Sequence, residues 1–171
     1  MSQNQLQVFT ARFEEVLPIW QMELWPGRTS AIEPQSAMTW LGRNGGIDMS
    51  LMSASPTFFI AKTDTRIVGV LSGHFGGLIE QSPGNGVQER AYRTRGLWVQ
   101  SESRRQGVAQ ALMKAAFLQA RTENCALVWT FPRQSSMNFY RAMGFHQEGE
   151  WHTGEFGPNC YAIARLSTSG D

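Results

Sequence analysis

The feature that most constrains this chain is a strand, a polar turn and a helix start within residues 97–109. A helix N-terminus presents backbone N–H groups without intrahelical partners, and its aligned peptide dipoles give it about half a positive charge. Gly107 permits close approach of a ligand, and two arginines add formal charge. We therefore predict a site for an anionic, phosphorylated ligand. Its strand comprises Leu97, Trp98 and Val99, and its turn comprises Arg104, Arg105, Gln106, Gly107, Val108 and Ala109.

The alternative for this turn is an ordinary basic cap on a helix. The chain contains neither Gly-x-x-x-x-Gly-Lys-Ser/Thr nor a Gly-x-Gly-x-x-Gly that opens a helix after a strand. Nucleoside triphosphate and dinucleotide chemistry are therefore less favoured than another phosphorylated ligand.

The composition favours one soluble domain. A chain of 171 residues with 42% hydrophobic residues can form one sizeable core, so we expect a single domain over 1–171, with 1–5 and 167–171 as flexible tails. A net charge of +1 argues against a general nucleic-acid binder. No secretion signal and no membrane-spanning run is present, which favours a cytoplasmic protein without a membrane partner. Cys125 and Cys160 lack metal-ligand spacing and are expected to be reduced core residues, so no metal is expected.

Hydrophobic periodicity and turn residues predict alternating strands and helices. The predicted loop over residues 76–88 is long enough to be functional. Strands are predicted at residues 6–10, 57–61, 67–71, 92–99, 126–130, 145–151 and 159–166, and helices at residues 13–24, from Pro34 to 43, from residue 108 to 120 and at residues 135–143, with a further helical turn at 47–52.

A second motif, Phe139-Tyr140-x-x-x-Gly144-Phe145, follows the strand after the phosphate turn. With Arg104-x-x-Gly107-x-Ala109, it resembles the Gcn5-related N-acetyltransferase (GNAT) superfamily. The resemblance implies an α/β (α+β) fold with a mixed central sheet of about six or seven strands and about four helices. It also implies an acyl-CoA-dependent N-acyltransferase that transfers acetyl from acetyl-CoA to a primary amine of a small molecule or peptide by direct attack. Two alternatives stay open: a catalytically silent acyl-CoA sensor, and an interaction module.

The resemblance assigns roles to both motifs. Residues 104–109 would bind the coenzyme A pyrophosphate, and Leu97–Val99 would pair with the pantetheine arm through a bulged, splayed strand. Tyr140 would protonate the departing thiolate, unless it is a core tyrosine. Arg133 stands where many members carry asparagine; it would bind the adenosine 3′-phosphate or lie solvated on the surface.

The general base is unassigned. Arg93 stands where several members of the superfamily carry a glutamate, and it cannot accept a proton at neutral pH. The candidates are Glu80 and Glu89 near the long loop and His74 at the end of its strand. Each has a structural alternative, and the acceptor amine could also arrive deprotonated.

Arg93 and Arg95 are two residues apart and are expected to share one strand face with Leu97 and Val99. If that face lines the acceptor pocket, an acceptor that carries a carboxylate or phosphate is favoured. The alternative is a solvated pair on the outer surface. A homodimer through the last strands also stays open.

Overall fold

The computed structural model of the protein describes residues 5–36, 54–82 and 84–167. Most of the helix predicted from Pro34, the predicted turn at 47–52 and most of both predicted tails lie outside these ranges. The described residues Pro34–Ser36 are not helical.

The N-terminal segment packs a helix against the sheet through two buried side chains. Strand β1 (Leu6–Ala11) leads into helix α1 (Phe13–Ile19), which continues as a π-helix (Trp20–Leu24). Val16 and Trp20 are fully buried. Both belong to the apolar face that the sequence predicts for this segment.

Seven strands of the described chain form one mixed sheet in the order β1-β2-β3-β4-β5-β7-β6. Only β4 and β5 pair in parallel among these neighbours. A parallel pair needs a crossover connection, which here contains helix α2 (Val108–Thr122); helix α3 (Met137–Ala142) follows β5. The other strands are β2 (Thr57–Thr63), β3 (Arg66–Glu80), β4 (Gln88–Val99), β5 (Leu127–Thr130), β6 (His146–Gly154) and β7 (Gly157–Arg165).

The two faces of the sheet carry different helices. On the α2 face, helices α2 and α3 pack against the sheet around residues such as Leu71, Tyr92 and Val128. On the α1 face, helix α1 and the π-helix pack against residues such as Phe58 and Val70.

The predicted loop over residues 76–88 is wrong in its first part. Strand β3 continues to Glu80 and pairs with β4, so the connection spans only residues 81–87. The strand register shifts between Phe75 and Leu78, and Gly77 has φ +102°. The glycines at this point therefore form a bulge within a strand and do not end it. His74 consequently lies inside β3 and not at its end.

Strand β4 contains a second irregularity, at Gly96. Arg95 pairs with Ser72 and Trp98 pairs with Val70, so β4 has one more residue than β3 between these pairs. Gly96 has φ +70°, which L-residues rarely adopt. The Trp20 indole Nε1 donates a hydrogen bond of 2.8 Å to the Gly96 carbonyl. The buried tryptophan of the π-helix thus supports the bulge.

This bulge overturns the expectation that Leu97 and Val99 share a face with the two arginines. An extra residue reverses the alternation of side chains that follows it. Leu97 and Val99 pack on the α2 face. The Arg95 guanidinium lies over Trp20 on the α1 face.

Candidate functional site

A cleft of about 1070 Å³ lies where β4 and β5 diverge. The parallel pairing ends at Arg93 and Trp129, and beyond it the Thr130 hydroxyl donates a hydrogen bond of 3.1 Å to the Thr94 carbonyl. Residues 94–99 of β4 line the cleft. The cleft is also lined by the phosphate turn and α2 (residues 103–105 and 107–110), the N-terminal segment (residues 23–25, 28, 31, 33, 35 and 36) and the end of β5 through α3 (residues 130–133, 135, 136, 139 and 140), with Asn159 of β7.

The predicted phosphate turn is held in shape by its own backbone and side chains. Arg105 and Gly107 both have left-handed backbone conformations, with φ +60° and +80°. Arg104 Nε donates 3.1 Å to the Val99 carbonyl, and Gln106 Nε2 donates 2.9 Å to the Glu102 carbonyl. Alternating backbone conformations turn successive N–H groups toward one side, which is the geometry of an anion-binding nest. The Gln106 side chain therefore orders the turn, and Gln106 is outside the lining residues.

Helix α2 begins directly at this turn, with Gly107 as its N-cap. Its first residues donate no intrahelical hydrogen bonds, and Ala111 N donates to the Gly107 carbonyl at 2.9 Å. Val108 and Ala109 line the cleft with the turn. Free N–H groups, the positive end of the helix dipole and two arginines therefore meet at one end of the cleft.

Tyr140 lies on α3 and lines the cleft, and only 6% of it is exposed. Burial raises the pKa of Tyr140 to about 12, although a hydrogen bond with the Thr130 side chain and the charge of Arg93 act in the opposite direction. The phenol is therefore protonated throughout the neutral range. Phe145 is buried in the core, whereas Phe139 is only partly buried and lines the cleft.

None of the three predicted bases lines the described part of the cleft. His74 is fully buried; its Nδ1 lies 2.7 Å from the Phe75 carbonyl and its Nε2 accepts a hydrogen bond from Ser36 N. Burial lowers the pKa of His74 to about 4. Glu80 accepts a hydrogen bond from Gly84 N, and Glu89 forms an ion pair of 2.8 Å with Arg165.

Arg93 and Arg95 both line the cleft, and neither is a solvated surface residue. Arg93 is 5% exposed, with its guanidinium 4.3 Å from the centre of the Trp129 ring. Arg95 lies over Trp20 and Trp25, and its Nη1 donates 2.9 Å to the Glu33 carbonyl. Burial is the main cause that lowers the pKa of Arg93 to about 9 and of Arg95 to about 10, so both stay cationic at neutral pH.

Arg133 lies at the wall of the cleft that the N-terminal segment forms. Its Nη2 donates a hydrogen bond of 2.8 Å to the Leu24 carbonyl, and its guanidinium lies 5.4 Å from the Phe156 ring centre. Its role toward coenzyme A stays a prediction. These contacts connect it to the end of the π-helix and not to the phosphate turn.

Several lining residues carried no signal in the sequence. Glu23 and Glu33 are the two carboxylate residues among the described lining residues, and Arg28 adds a further cation. Glu33 and Arg28 lie in an irregular segment, where no periodicity indicates which side chains face inward. Thr130 ends a buried strand and resembles an ordinary core threonine in the sequence.

The described residues contain neither a metal-ligand cluster nor a membrane-spanning helix. In this part of the chain, His, Cys, Asp and Glu residues form no group of three or more that could hold a metal ion. No helix within these residues is long and apolar enough to cross a membrane.

The fold and the cleft define a class: an α/β domain whose parallel strands diverge beside a helix N-terminus with free N–H groups. The family model described as "Acetyltransferase (GNAT) family" matches residues 18–145. The chain belongs to this acetyltransferase family, and its mixed sheet is the GNAT fold.

The chain is also similar to individual proteins. It is 31% identical over 108 residues to the mouse (Mus musculus) "Probable N-acetyltransferase family 8 member 5". This alignment covers 61% of the chain and 45% of that relative, so the chain spans less than half of the relative's length. The structure of FeeM, an N-acyl amino acid synthase from uncultured soil microbes, has a TM-score of 0.61 at 13% identity over 94% of this chain and 91% of that one. Ard1 from Thermoplasma volcanium has a TM-score of 0.60 at 14% identity over 95% and 99%. At these identities the structural likeness concerns the fold alone.

Proposed function

We propose that this protein transfers an acetyl group from acetyl-CoA to a primary amine of a small molecule or peptide by direct attack. The observation that carries the proposal is the cleft at the diverging ends of β4 and β5, which has the phosphate turn among its lining residues and Tyr140 within it. Family membership supports acyl transfer as the reaction class.

The donor half of the cleft suits coenzyme A. The nest at residues 104–109 and the free N–H groups of α2 match a pyrophosphate in charge and hydrogen-bonding capacity. Beyond Arg93, β4 pairs with no described residue of β5, so the backbone of Leu97–Val99 is available to the amide groups of pantetheine. Bound acetyl-CoA supplies an activated acyl carbon.

Tyr140 acts as the general acid. In the transfer, a bond forms between the amine nitrogen and the acyl carbon, the carbon–sulfur bond breaks, and the thiolate takes a proton. The Thr130 hydroxyl donates to the Thr94 carbonyl, and the Thr130 side chain interacts with the Tyr140 phenol. Tyr140 regains its proton from solvent after each turnover.

The proton of the attacking amine needs a different acceptor. Glu23 and Glu33 line the cleft, whereas the three bases predicted from the sequence do not. We include both glutamates in the proposal as candidate bases, acting directly or through water. Kinetics of Glu23→Gln and Glu33→Gln distinguish them, because the base variant loses kcat at neutral pH and regains part of it at alkaline pH, where more amine is deprotonated.

Two measurements test the proposal. Acetyl-CoA and coenzyme A are expected to raise Tm in thermal-shift assays, whereas unrelated nucleotides are not. Tyr140→Phe is expected to lower kcat by about 100- to 10,000-fold while the Kd for acetyl-CoA changes little. Phe139→Leu, which alters a neighbouring lining side chain without an ionisable group, serves as the matched comparison for packing. Absence of any stabilisation by either coenzyme would overturn the proposal, and binding without turnover would favour the silent sensor.

A further inference from the structure

The α1 side of the cleft contains a buried cation with free hydrogen-bonding capacity. Arg93 is 5% exposed and lines the cleft, yet its Nε and Nη1 have no hydrogen-bond partner among the residues that the structure describes. Thr94 Oγ1, at the same place on the strand and 1% exposed, is also without a partner within the described chain. Three unsatisfied polar atoms therefore lie in adjacent residues of β4.

An unpaired guanidinium at this depth is costly to the folded protein. Buried charges are ordinarily paired and hydrogen-bonded, since burial removes the hydration that stabilises them. The Arg93 guanidinium makes a cation–π contact with the Trp129 ring, but Nε and Nη1 have no hydrogen-bond acceptor in the described structure. No described carboxylate forms an ion pair with Arg93. A guanidinium of this kind is suited to bind an anion from outside the chain.

Neighbouring charges increase this preference. Arg95 is held on the same face by its hydrogen bond to the Glu33 carbonyl and by two tryptophan rings. Arg28 lies over the Trp25 ring at 5.2 Å and also lines the cleft. Six arginines and two glutamates line the cleft within the described residues. Three of these arginines, Arg28, Arg93 and Arg95, are on the side away from the phosphate turn, where they attract an anionic acceptor.

The position of Arg93 limits where the anion lies relative to the reacting amine. Arg93 and Tyr140 line the same cleft, and Tyr140 is the residue proposed to protonate the sulfur. The amine must attack the carbon bonded to that sulfur. An anion held by Arg93 and the attacking amine therefore occupy the same cleft.

We propose that Arg93 binds the carboxylate of the acceptor, and that the acceptor is a small amine with its carboxylate next to the amino group, as in an α-amino acid. The Arg93 guanidinium donates to the carboxylate, and the neighbouring Arg95 strengthens the local positive potential. This inference rests on the proposed function, because it identifies the acceptor class of the same cleft.

The test compares amino acids with their carboxamides as acceptors for acetyl-CoA, in the wild type and in Arg93→Met. The wild type is expected to favour the free acids by about 10- to 100-fold in kcat/KM, the range of one or two charge-assisted hydrogen bonds. Arg93→Met is expected to lose this preference through KM for the acceptor and to keep its KM for acetyl-CoA. Arg90→Met is the matched control, since Arg90 is an exposed arginine of β4 outside the cleft lining.

A binding measurement covers the case in which the panel lacks a good acceptor. N-acetyl amino acids are products of the proposed class, and they are expected to raise Tm of the coenzyme A complex more than their carboxamides do. Phosphorylated amines in the same assays show whether the site prefers phosphate. Equal turnover and equal stabilisation with acids and amides, or a better response to phosphorylated amines, would overturn the carboxylate assignment and leave acyl transfer intact. Absence of coenzyme binding would instead remove the proposed function.

Discussion

The bulge at Gly96 is expected to be the point in β4 most sensitive to one added methyl group. Gly96 has φ +70°, and a Cβ there would overlap the Trp20 ring, which is fully buried. The left-handed conformation costs an L-residue about 1–2 kcal/mol, and the overlap in a packed core costs about 1–3 kcal/mol. Gly96→Ala is therefore expected to lower the free energy of unfolding by about 2–5 kcal/mol.

Gly86 provides the matched control. It has the same φ of +70°, but a Cβ there would meet nothing within 4 Å. Gly86→Ala is expected to cost only the conformational part, about 1–2 kcal/mol. Urea denaturation of both variants, followed by circular dichroism, gives the two free energies by linear extrapolation.

A double mutant separates the overlap from the backbone conformation. The atoms of Trp20 nearest to the added Cβ are Cε2, Cζ2 and Nε1, and the smaller phenylalanine ring leaves space there. In a Trp20→Phe background, Gly96→Ala is therefore expected to cost about as much as Gly86→Ala. Equal losses for Gly96→Ala and Gly86→Ala in the wild-type background would refute the role of Trp20 in supporting the bulge.

Three further predictions concern the turn, the buried histidine and the candidate bases. Gly107→Ala, at φ +80°, is expected to distort the nest and to raise the Kd for acetyl-CoA by about 10-fold or more in calorimetric titrations. Gly144→Ala is the control: its φ is +91°, but it lies outside the cleft lining, so the Kd is expected to stay unchanged. Burial lowers the pKa of His74 from 6.5 to about 4. Between pH 6.5 and pH 4 the unfolded chain therefore takes up a proton that the folded protein does not. The free energy of unfolding is expected to fall by about 3 kcal/mol as the pH falls through this range. Denaturation of His74→Asn across the same pH range is expected to lose this contribution, and an unchanged pH dependence would contradict the assignment. Glu80→Gln and Glu89→Gln are expected to retain kcat at neutral pH, because neither side chain lines the described cleft; a loss of about 100-fold or more in either would show that it serves as the base.

The sequence predicts those features that depend on short-range patterns. Helix α2, strands β2 and β3 and the turn at residues 104–109 each depend on residues close together in the chain, and the structure contains all of them. The bulge in β3 did not follow from the sequence, and the bulge in β4 was implied only by the resemblance to the family, because a glycine in a strand pattern is compatible with a break, a loop or a bulge. Pairing with a neighbouring strand decides among these outcomes.

The environment of Arg93 depends on contacts that are distant in the sequence. Its ring partner, Trp129, comes from β5, and Arg95 is held by the Glu33 carbonyl and Trp20 from the N-terminal segment. From the strand pattern alone, a solvated arginine pair and a buried pair are equally compatible with these positions. Glu23 and Glu33 were missed for a similar reason, since their approach to the cleft depends on how the N-terminal segment packs.

The most direct test of acyl transfer measures thiol release and N-acetylated product together, with acetyl-CoA and a panel of amines. Acyl transfer in this cleft predicts amine-dependent thiol release that matches the N-acetylated product in amount, and a large loss of both in Tyr140→Phe with acetyl-CoA binding retained. Saturable binding of acetyl-CoA without amine-dependent thiol release from any member of the panel would contradict it.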